Sequence, residues 1–429
     1  MIKRFFLVIA ICITTNAFSQ EGTASPYSFN GIGELKFKGT EENRMMGGLG
    51  IYADSIHLNI NNPASLGKLQ LTTYTIGLNY NSVKLENASA SENAETASVD
   101  YLALGFPVTK KLGVSFGLLP FTSVGYRLRN DTIGTEINDD GEPEEVILQR
   151  DTFEGSGGVN KVFLSAGYAI TEELSLGFSM NYNFGAIDNS NVRSIRNLDR
   201  FTQDAYNSDL SGFDFRFSAN YQKTLKNNFF IVSNLGYTPS ADLTSKNSRT
   251  LTTGPALGTF GTVDVQVVEL GANKETDLTL PANFSLGAGF GKQYKWFVGA
   301  EFTSIKTGDF QDRFFVPSNN VIYEDASRLS LGGFYIPKYN SFSSYWQRVV
   351  YRAGLRFEGT GINVRGEAVN DFGMSFGVGL PMRNFSNVNL GFEFGKRGTT
   401  NSGLVKENYV NFRLSLSLND KWFQKRKYN

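Results

Sequence analysis

Apolar and polar residues alternate with a period of two over most of this chain. From Leu174 to Phe184, the residues Leu174, Leu176, Phe178, Met180, Tyr182 and Phe184 share one face, and Ser175, Gly177, Ser179, Asn181 and Asn183 share the other. Phe213, Phe215, Phe217, Ala219 and Tyr221 stand likewise against Asp214, Arg216, Ser218 and Asn220. Near the C-terminus, Val410, Phe412, Leu414, Leu416 and Leu418 stand against Asn411, Arg413, Ser415 and Ser417. A strand points successive side chains to opposite faces, whereas a helix repeats its apolar positions every three to four residues. The pattern predicts strands near 71–81, 98–108, 112–129, 159–170, 174–185, 211–224 and 229–244. Seven more follow near 275–290, 295–305, 346–358, 361–370, 371–382, 387–397 and 408–418, which makes fourteen.

The connections sort into two kinds. Short links at Thr109 to Lys111, Thr171 to Glu173, Lys226 to Asn228, Gly291 to Tyr294, Gly359-Thr360 and Arg383 to Ser386 alternate with long polar links at 130–158, 186–210, 245–274 and 306–345. Short turns on one side and long loops on the other characterise bacterial outer-membrane barrels. The tight Asn370-Asp371 link is the exception, since a loop is expected there. Strands of nine to fifteen residues exceed the five to six usual in soluble sheets and suit a tilted bilayer crossing. The fold class expected is all-β: a transmembrane antiparallel barrel of about fourteen strands over 71–418, with both termini in the periplasm.

Composition agrees. The chain is rich in Phe (36), Tyr (19) and Gly (45), yet its mean hydropathy is −0.23. A barrel looks hydrophilic on average because half of each strand faces a polar lumen. The 41 acids balance the 41 bases, so no basic face recommends nucleic acid as a partner. Residues 1–19 read as a secretory signal: Lys3 and Arg4 precede an apolar core from Phe5 to Ile13, and Ala17-Phe18-Ser19 offers a cleavage site before Gln20. The only cysteine, Cys12, lies inside it, so the mature chain has no disulfide or cysteine metal site.

Residues 20–70 do not alternate. They carry Ser25-Pro26-Tyr27-Ser28, Gly31-Ile32-Gly33, Arg44-Met45-Met46-Gly47-Gly48-Leu49-Gly50 and Asn59-Ile60-Asn61-Asn62-Pro63-Ala64. Met45, Met46, Leu49, Ile51, Ile56, Leu58 and Ile60 supply enough apolar surface to pack as a plug inside the barrel. The Arg-x-x-Gly-Gly-x-Gly stretch followed by an acidic residue and Asn-Pro-Ala resembles the hatch of the FadL-type long-chain fatty acid transporters. Leu280 to Gly289, Lys295 to Phe302 and Tyr351 to Phe357 are similar to that family too. The resemblance implies uptake of hydrophobic small molecules of fatty-acid or hydrocarbon type, with Gly47, Gly48, Asn62, Pro63 and Ala64 as gate residues. The lead before the hatch departs from the transporters and is similar to outer-membrane proteins of Bacteroidetes. Their FadL-like barrels include PorV-type partners of secretion or assembly machines, which makes a non-transporting partner or scaffold subunit the alternative.

Other chemistry is sparse. Gly113-Val114-Ser115-Phe116-Gly117 and Gly373-Met374-Ser375-Phe376-Gly377 match the nucleophile-elbow pattern, but both serines fall mid-strand and the sole histidine is His57. No enzyme and no cofactor are expected. The acidic run Asp139 to Glu145 reads as a solvated loop, able at most to hold calcium weakly or to bridge lipopolysaccharide through divalent ions. Lys421 to Lys427 reads as a basic periplasmic tail within 419–429 that could dock a partner. Arg216, Glu301, Arg352, Arg356, Arg365, Glu367 and Glu393 are expected to face the lumen, with Arg352, Arg356, Arg365 and Glu367 able to form one network.

Overall fold

The computed structural model describes residues 22–138, 140–255, 262–309, 321–382 and 386–421. The signal at 1–19, Asp139 and the tail beyond Lys421 therefore lie outside the described residues. Fourteen antiparallel strands close into a barrel. They are β1 (Thr72–Glu86), β2 (Ser91–Pro107), β3 (Leu112–Pro120 continued by Thr122–Ile137), β4 (Pro143–Ala169), β5 (Leu174–Ile195), β6 (Arg200–Thr224) and β7 (Phe229–Thr238 continued by Ala241–Pro255). Then come β8 (Glu275–Leu280 continued by Asn283–Lys292), β9 (Trp296–Ile305), β10 (Ala326–Tyr335), β11 (Val350–Val364), β12 (Glu367–Pro381), β13 (Asn387–Arg397) and β14 (Lys406–Asp420). Closure runs from Thr72↔Asp420 to Glu86↔Lys406 between β1 and β14. Closure leaves the sheet without an edge strand, as a bilayer requires.

The alternation sets the faces as expected. On β5 the side chains of Leu176, Phe178, Met180, Tyr182 and Phe184 point outward and are exposed, while Ser175, Ser179, Asn181 and Asn183 are buried on the lumen side. The three composite strands break at Pro120-Phe121, Pro239-Ser240 and Pro281-Ala282, where proline removes a ladder donor.

The total of fourteen agrees with expectation, but two of its members do not. The strand β10 lay hidden in the presumed loop 306–345, because Gly332-Gly333 interrupts its apolar face. Conversely, 346–358 and 361–370 are not two strands. Gly359-Thr360 is no turn but the middle of β11, where a register shift between Gly359 and Asn363 and a positive φ at Gly361 (77°) mark a bulge. The real tip is Arg365-Gly366, a two-residue turn with φ of 54° and 83°, the geometry of a hairpin whose central residues are left-handed.

The presumed long loops are largely strand as well. β4, β5 and β6 run for 27, 22 and 25 residues, against 10 each for β9 and β10, so one wall stands far taller than the other. The end of the barrel carrying the turns after β2, β4 and β6 is called here the turn end, and the opposite one the loop end. The tall wall also lacks part of a ladder. β2 meets β3 only from Leu102 to Pro107, and above that point the second half of β3 pairs with β4 and with the two-residue strand Glu34–Leu35.

Candidate functional site

Residues 22–71 pack against the inward face of this barrel. Three apolar clusters hold them: Phe29 and Ile32 with Val124, Tyr126 and Ile187; Leu58, Leu66 and Leu69 with Tyr101 and Phe163; and Met46, Leu49 and Ile51 with Phe230 and Phe297. The first described residue, Gly22, lies against Ser123 partway up β3 rather than at the turn end.

Two seats made of wall glycines receive the tight parts of the segment. At the first, Gly47 (φ 73°) fits against β10 and β11, where a Cβ added to it would come within 2.6 Å of the Leu355 carbonyl oxygen. A Cβ on Gly354 would in turn lie 2.1 Å from the Gly47 nitrogen, so neither position admits a side chain. The Gly47 N–H donates to Ser375 Oγ at 3.0 Å, which gives that serine a seating role on the lumen face. Gly48 (φ 89°) completes the turn. At the second seat the 3-10 turn Pro63–Lys68 rests on β4 and β5, where a Cβ on Gly177 would lie 2.0 Å from the Ala64 nitrogen. Ala64 N–H donates to Ser218 Oγ at 2.8 Å, and Asn62 is fully buried, its Nδ2 donating to the Gly50 carbonyl at 3.2 Å. The five residues Gly47, Gly48, Asn62, Pro63 and Ala64 thus occupy both seats.

Charged side chains tie the segment to the wall. Lys38 Nζ lies 2.9 Å from Glu358 and 3.5 Å from Asp371; Arg44 lies 3.5 Å from Asp100 and 3.8 Å from Glu393; Glu34 meets Arg397 at 2.8 Å. On the wall itself, Arg356 binds Glu358, Glu393 and Tyr409, and Arg413 binds Asp100 and Glu393, each at 2.8–2.9 Å. Burial pushes the Glu41 carboxyl up to about 8 although Arg413 is 3.6 Å away. Glu301 accepts the Gly50 N–H at 2.9 Å, and Arg216 donates from Nε to the Asn61 carbonyl at 2.7 Å. Arg352 reaches the segment through Asn389, which it meets at 3.0 Å and whose Nδ2 donates to Glu42 at 2.8 Å.

Five of the seven expected lumen charges, Arg216, Glu301, Arg352, Arg356 and Glu393, therefore face the segment. Arg365 and Glu367 do not. They sit in the β11–β12 turn at the loop end, Arg365 donating to the Ser402 carbonyl at 3.0 Å and Glu367 accepting from Ser402 Oγ at 3.4 Å. Placing a strand over 361–370 had turned this hairpin tip into wall. The network also contains Lys38, Asp100, Asp371 and Arg397, which the sequence does not single out, together with Arg44 of the hatch stretch and Arg413 of the last strand's polar face. Asp100, Arg397 and Arg413 were findable as charges on otherwise small polar faces, whereas Asp371 had been assigned to a link. His57 Nδ1 lies 2.8 Å from Asp54 and its Nε2 lies 3.4 Å from Asn387, a local arrangement at the turn end.

Above the segment lies a cavity of about 320 Å³. Its lining is mixed: Ile32, Phe37, Ile60, Leu119, Phe121 and Phe163 are apolar, and Lys161, Asp214, Arg216, Glu301 and Arg328 are charged, with Lys161 Nζ 4.0 Å above the Phe121 ring.

This architecture is shared with solved outer-membrane channels. The toluene transporter TodX of Pseudomonas putida superposes with a TM-score of 0.53 at 16% identity, covering 94% of this chain and 99% of TodX. A TodX deltaS2S3 mutant, described as a monoaromatic hydrocarbon channel, gives 0.56 at 16% identity over 94% and 100%. A FadL homologue of Pseudomonas aeruginosa gives 0.53 at 11% identity over 90% and 98%. Identities this low establish the fold, a FadL-like barrel of the outer membrane, and nothing about cargo. Among curated proteins none matches the chain. One family model matches from residue 1 to residue 429, and by that match the chain belongs to the BamG family.

Proposed function

We propose that this barrel is a partner subunit of an outer-membrane barrel-assembly machine, its lumen held shut by the N-terminal segment. The observation that carries the reading is the set of buried charges joining Glu34, Lys38 and Arg44 to Arg397, Glu358, Asp371, Asp100 and Glu393. These contacts reach β2, β11, β12 and β13, so the segment is fastened at several points that must part together before the lumen opens. The family's name, BamG, supports an assembly role, and the tall polar wall offers a partner a face outside the apolar belt. Purification at native expression in mild detergent should yield a stoichiometric complex, and depletion should lower the amounts of other barrels. A lone monomer with unchanged barrels in the depleted strain would overturn the reading.

The cavity favours a second reading, passage of hydrophobic small molecules gated by Gly47, Gly48, Asn62, Pro63 and Ala64. Its apolar lining residues and the missing part of the ladder between β2 and β3 are what a route for apolar cargo requires. A deletion strain should then take up labelled fatty acids or toluene more slowly; unchanged uptake across such a panel would sink it. Both readings place the turns in the periplasm. Cysteine at Asp140 should therefore react with an impermeant thiol reagent on intact cells, and cysteine at Lys110 or Glu172 only after the outer membrane is opened.

A further inference from the structure

The outward face of the wall is not evenly covered. Two neighbouring rows cross it near the turn end: Leu112, Tyr168, Leu176, Ala219 and Leu235 in one, Val114, Ala166, Phe178, Phe217 and Tyr237 in the other. Every position in these rows is large except Ala219 and Ala166. The two gaps join into a groove of about 540 Å³, roughly the volume of eighteen waters at about 30 Å³ each. Its rim is aromatic, with Phe178 and Phe217 at 5.3 Å between ring centroids, and its surface is almost wholly apolar. Elsewhere on β5 and β6, Met180, Tyr182, Phe213 and Phe215 fill the equivalent places.

Charge stands at one end only. The turn leading into Leu112 exposes Lys110 and Lys111, and no ion pair engages either among the described residues. The neighbouring turns add Lys223, Lys226, Glu172 and Glu173, of which Glu173 is matched by Lys223 at 3.2 Å. Four bases against two acids leave the mouth of the groove positive. A protein surface seeking another protein would place polar groups around such a groove; an apolar slot in the lipid-facing belt with cations only at its headgroup end fits an anionic amphiphile.

We propose that this groove binds one acyl chain of a phosphate-bearing membrane lipid, with the phosphate on Lys110 and Lys111. The site is independent of whether the lumen conducts. It is also back to back with the second seat, since Gly167 and Gly177 of its floor have no side chain and bear Pro63 and Ala64 on their inner side.

The test uses the full-length barrel purified in mild detergent and exchanged into phosphatidylglycerol nanodiscs. Native mass spectrometry after stepwise delipidation should find about one phospholipid held per native chain. Ala219→Trp, which fills the groove from the lipid side, should reduce that retention at least fivefold. Lys110→Glu with Lys111→Glu should reduce retention of phosphatidylglycerol while leaving the fold heat-modifiable. Equal retention by Ala219→Trp and the native chain, or no retained lipid in either, would overturn the site. Should Ala219→Trp fail to assemble, a diazirine in the acyl chain decides the matter on the native chain. Labelling concentrated in 166–178 and 217–237 supports the groove, and labelling spread evenly around the belt refutes it.

Discussion

The low wall and the tall wall of this barrel are stabilised in different ways. Along β9 to β14 the strands run only 10 to 15 residues, and their inner faces carry buried charges that the N-terminal segment completes. Along β3 to β7 the strands continue well past the belt, and the charges on the projecting rows pair with one another near solvent, as Arg249 does with Asp204 and Arg193 with Asp151. In the first region the ladder is short and the side chains are costly to disturb; in the projecting rows of the second the ladder is long and the side chains are dispensable. Where either wall faces the segment it carries desolvated charge, as Lys161 with Asp214 does on the tall one, while the rows that project beyond it rely on backbone pairing.

The largest effect expected from this contrast lies at Arg397. It touches Glu34 at 2.8 Å, Asp371 at 3.1 Å and Glu407 at 3.6 Å, and Ser25 Oγ bonds the same Glu407. Arg397→Ala leaves buried Glu407 without a cation and takes one of the cations from Glu34 and Asp371, which keep Lys36 at 3.2 Å and Lys38 at 3.5 Å; stranding the buried acid is worth about 3–5 kcal/mol. The loss should appear as release of the segment, read by protease cleavage within residues 22–40, with the closed ladder still heat-modifiable in gels. A segment as resistant as the native one would mean that the buried charges do not hold it.

The first seat comes next. Gly47→Val places a β-branched residue at φ 73° and against the Leu355 carbonyl, which costs about 1–3 kcal/mol in backbone strain alone. The segment should loosen around Met45 to Gly48 while the turn at Pro63 stays docked, and hydrogen exchange can separate the two. If barrel assembly fails instead, the segment belongs to the folding core and the gating reading fails with it.

The same contrast explains what could be read from sequence. Inside the belt, lipid lies on one side and lumen on the other, so Leu174 to Phe184 alternates cleanly and the strand is plain. Beyond the belt both faces meet water. Asp188, Asn189 and Ser190 continue the β5 ladder with no apolar face to betray it. β10 is hidden because Gly332 gives the wall room for the Met46 main chain and Gly333 lies close to the β9 main chain at Phe297, requirements visible only once the partners are known. The hatch residues were legible as turn formers, since positive φ at Gly47 and a proline-led turn at Pro63 are local properties. The charge network was not, because Glu34–Arg397 spans 363 residues and depends on the register of the barrel.

A smaller effect is expected from pH at the turn end of the segment. Burial opposes both charges of Asp54 and His57, but their contact prevails, holding the Asp54 carboxyl below its ordinary value and the His57 imidazole above. The carboxylate's contribution is present above the usual carboxylate range and is lost as pH falls through the lowered value. The imidazolium's is present below about 6.5 and is lost as pH rises through the raised value. Protection of residues 52–58 from hydrogen exchange, corrected for intrinsic rates, should therefore be greatest in weak acid and decline on the alkaline side. His57→Phe should flatten that decline; a native-like profile in the variant would assign the dependence elsewhere.

The smallest effect should come from the tall wall. Arg249 forms a two-point contact with Asp204 at 2.7 and 2.8 Å and covers the Tyr206 ring, yet it remains about one-third exposed. Exposed pairs are worth about 0.2–1 kcal/mol because water solvates the separated charges nearly as well. The twelve-residue register between β6 and β7, from Thr244↔Ser211 to Pro255↔Arg200, also fixes the strands without it. Arg249→Ala should thus leave the unfolding midpoint in denaturant within error of the native barrel, while Arg397→Ala shifts the docking of the segment. Comparable losses in the two variants would show that desolvation is not what separates the walls. A large loss at Arg249 alone would mean that the projecting rows, and not the lumen, carry the molecule's costly charge.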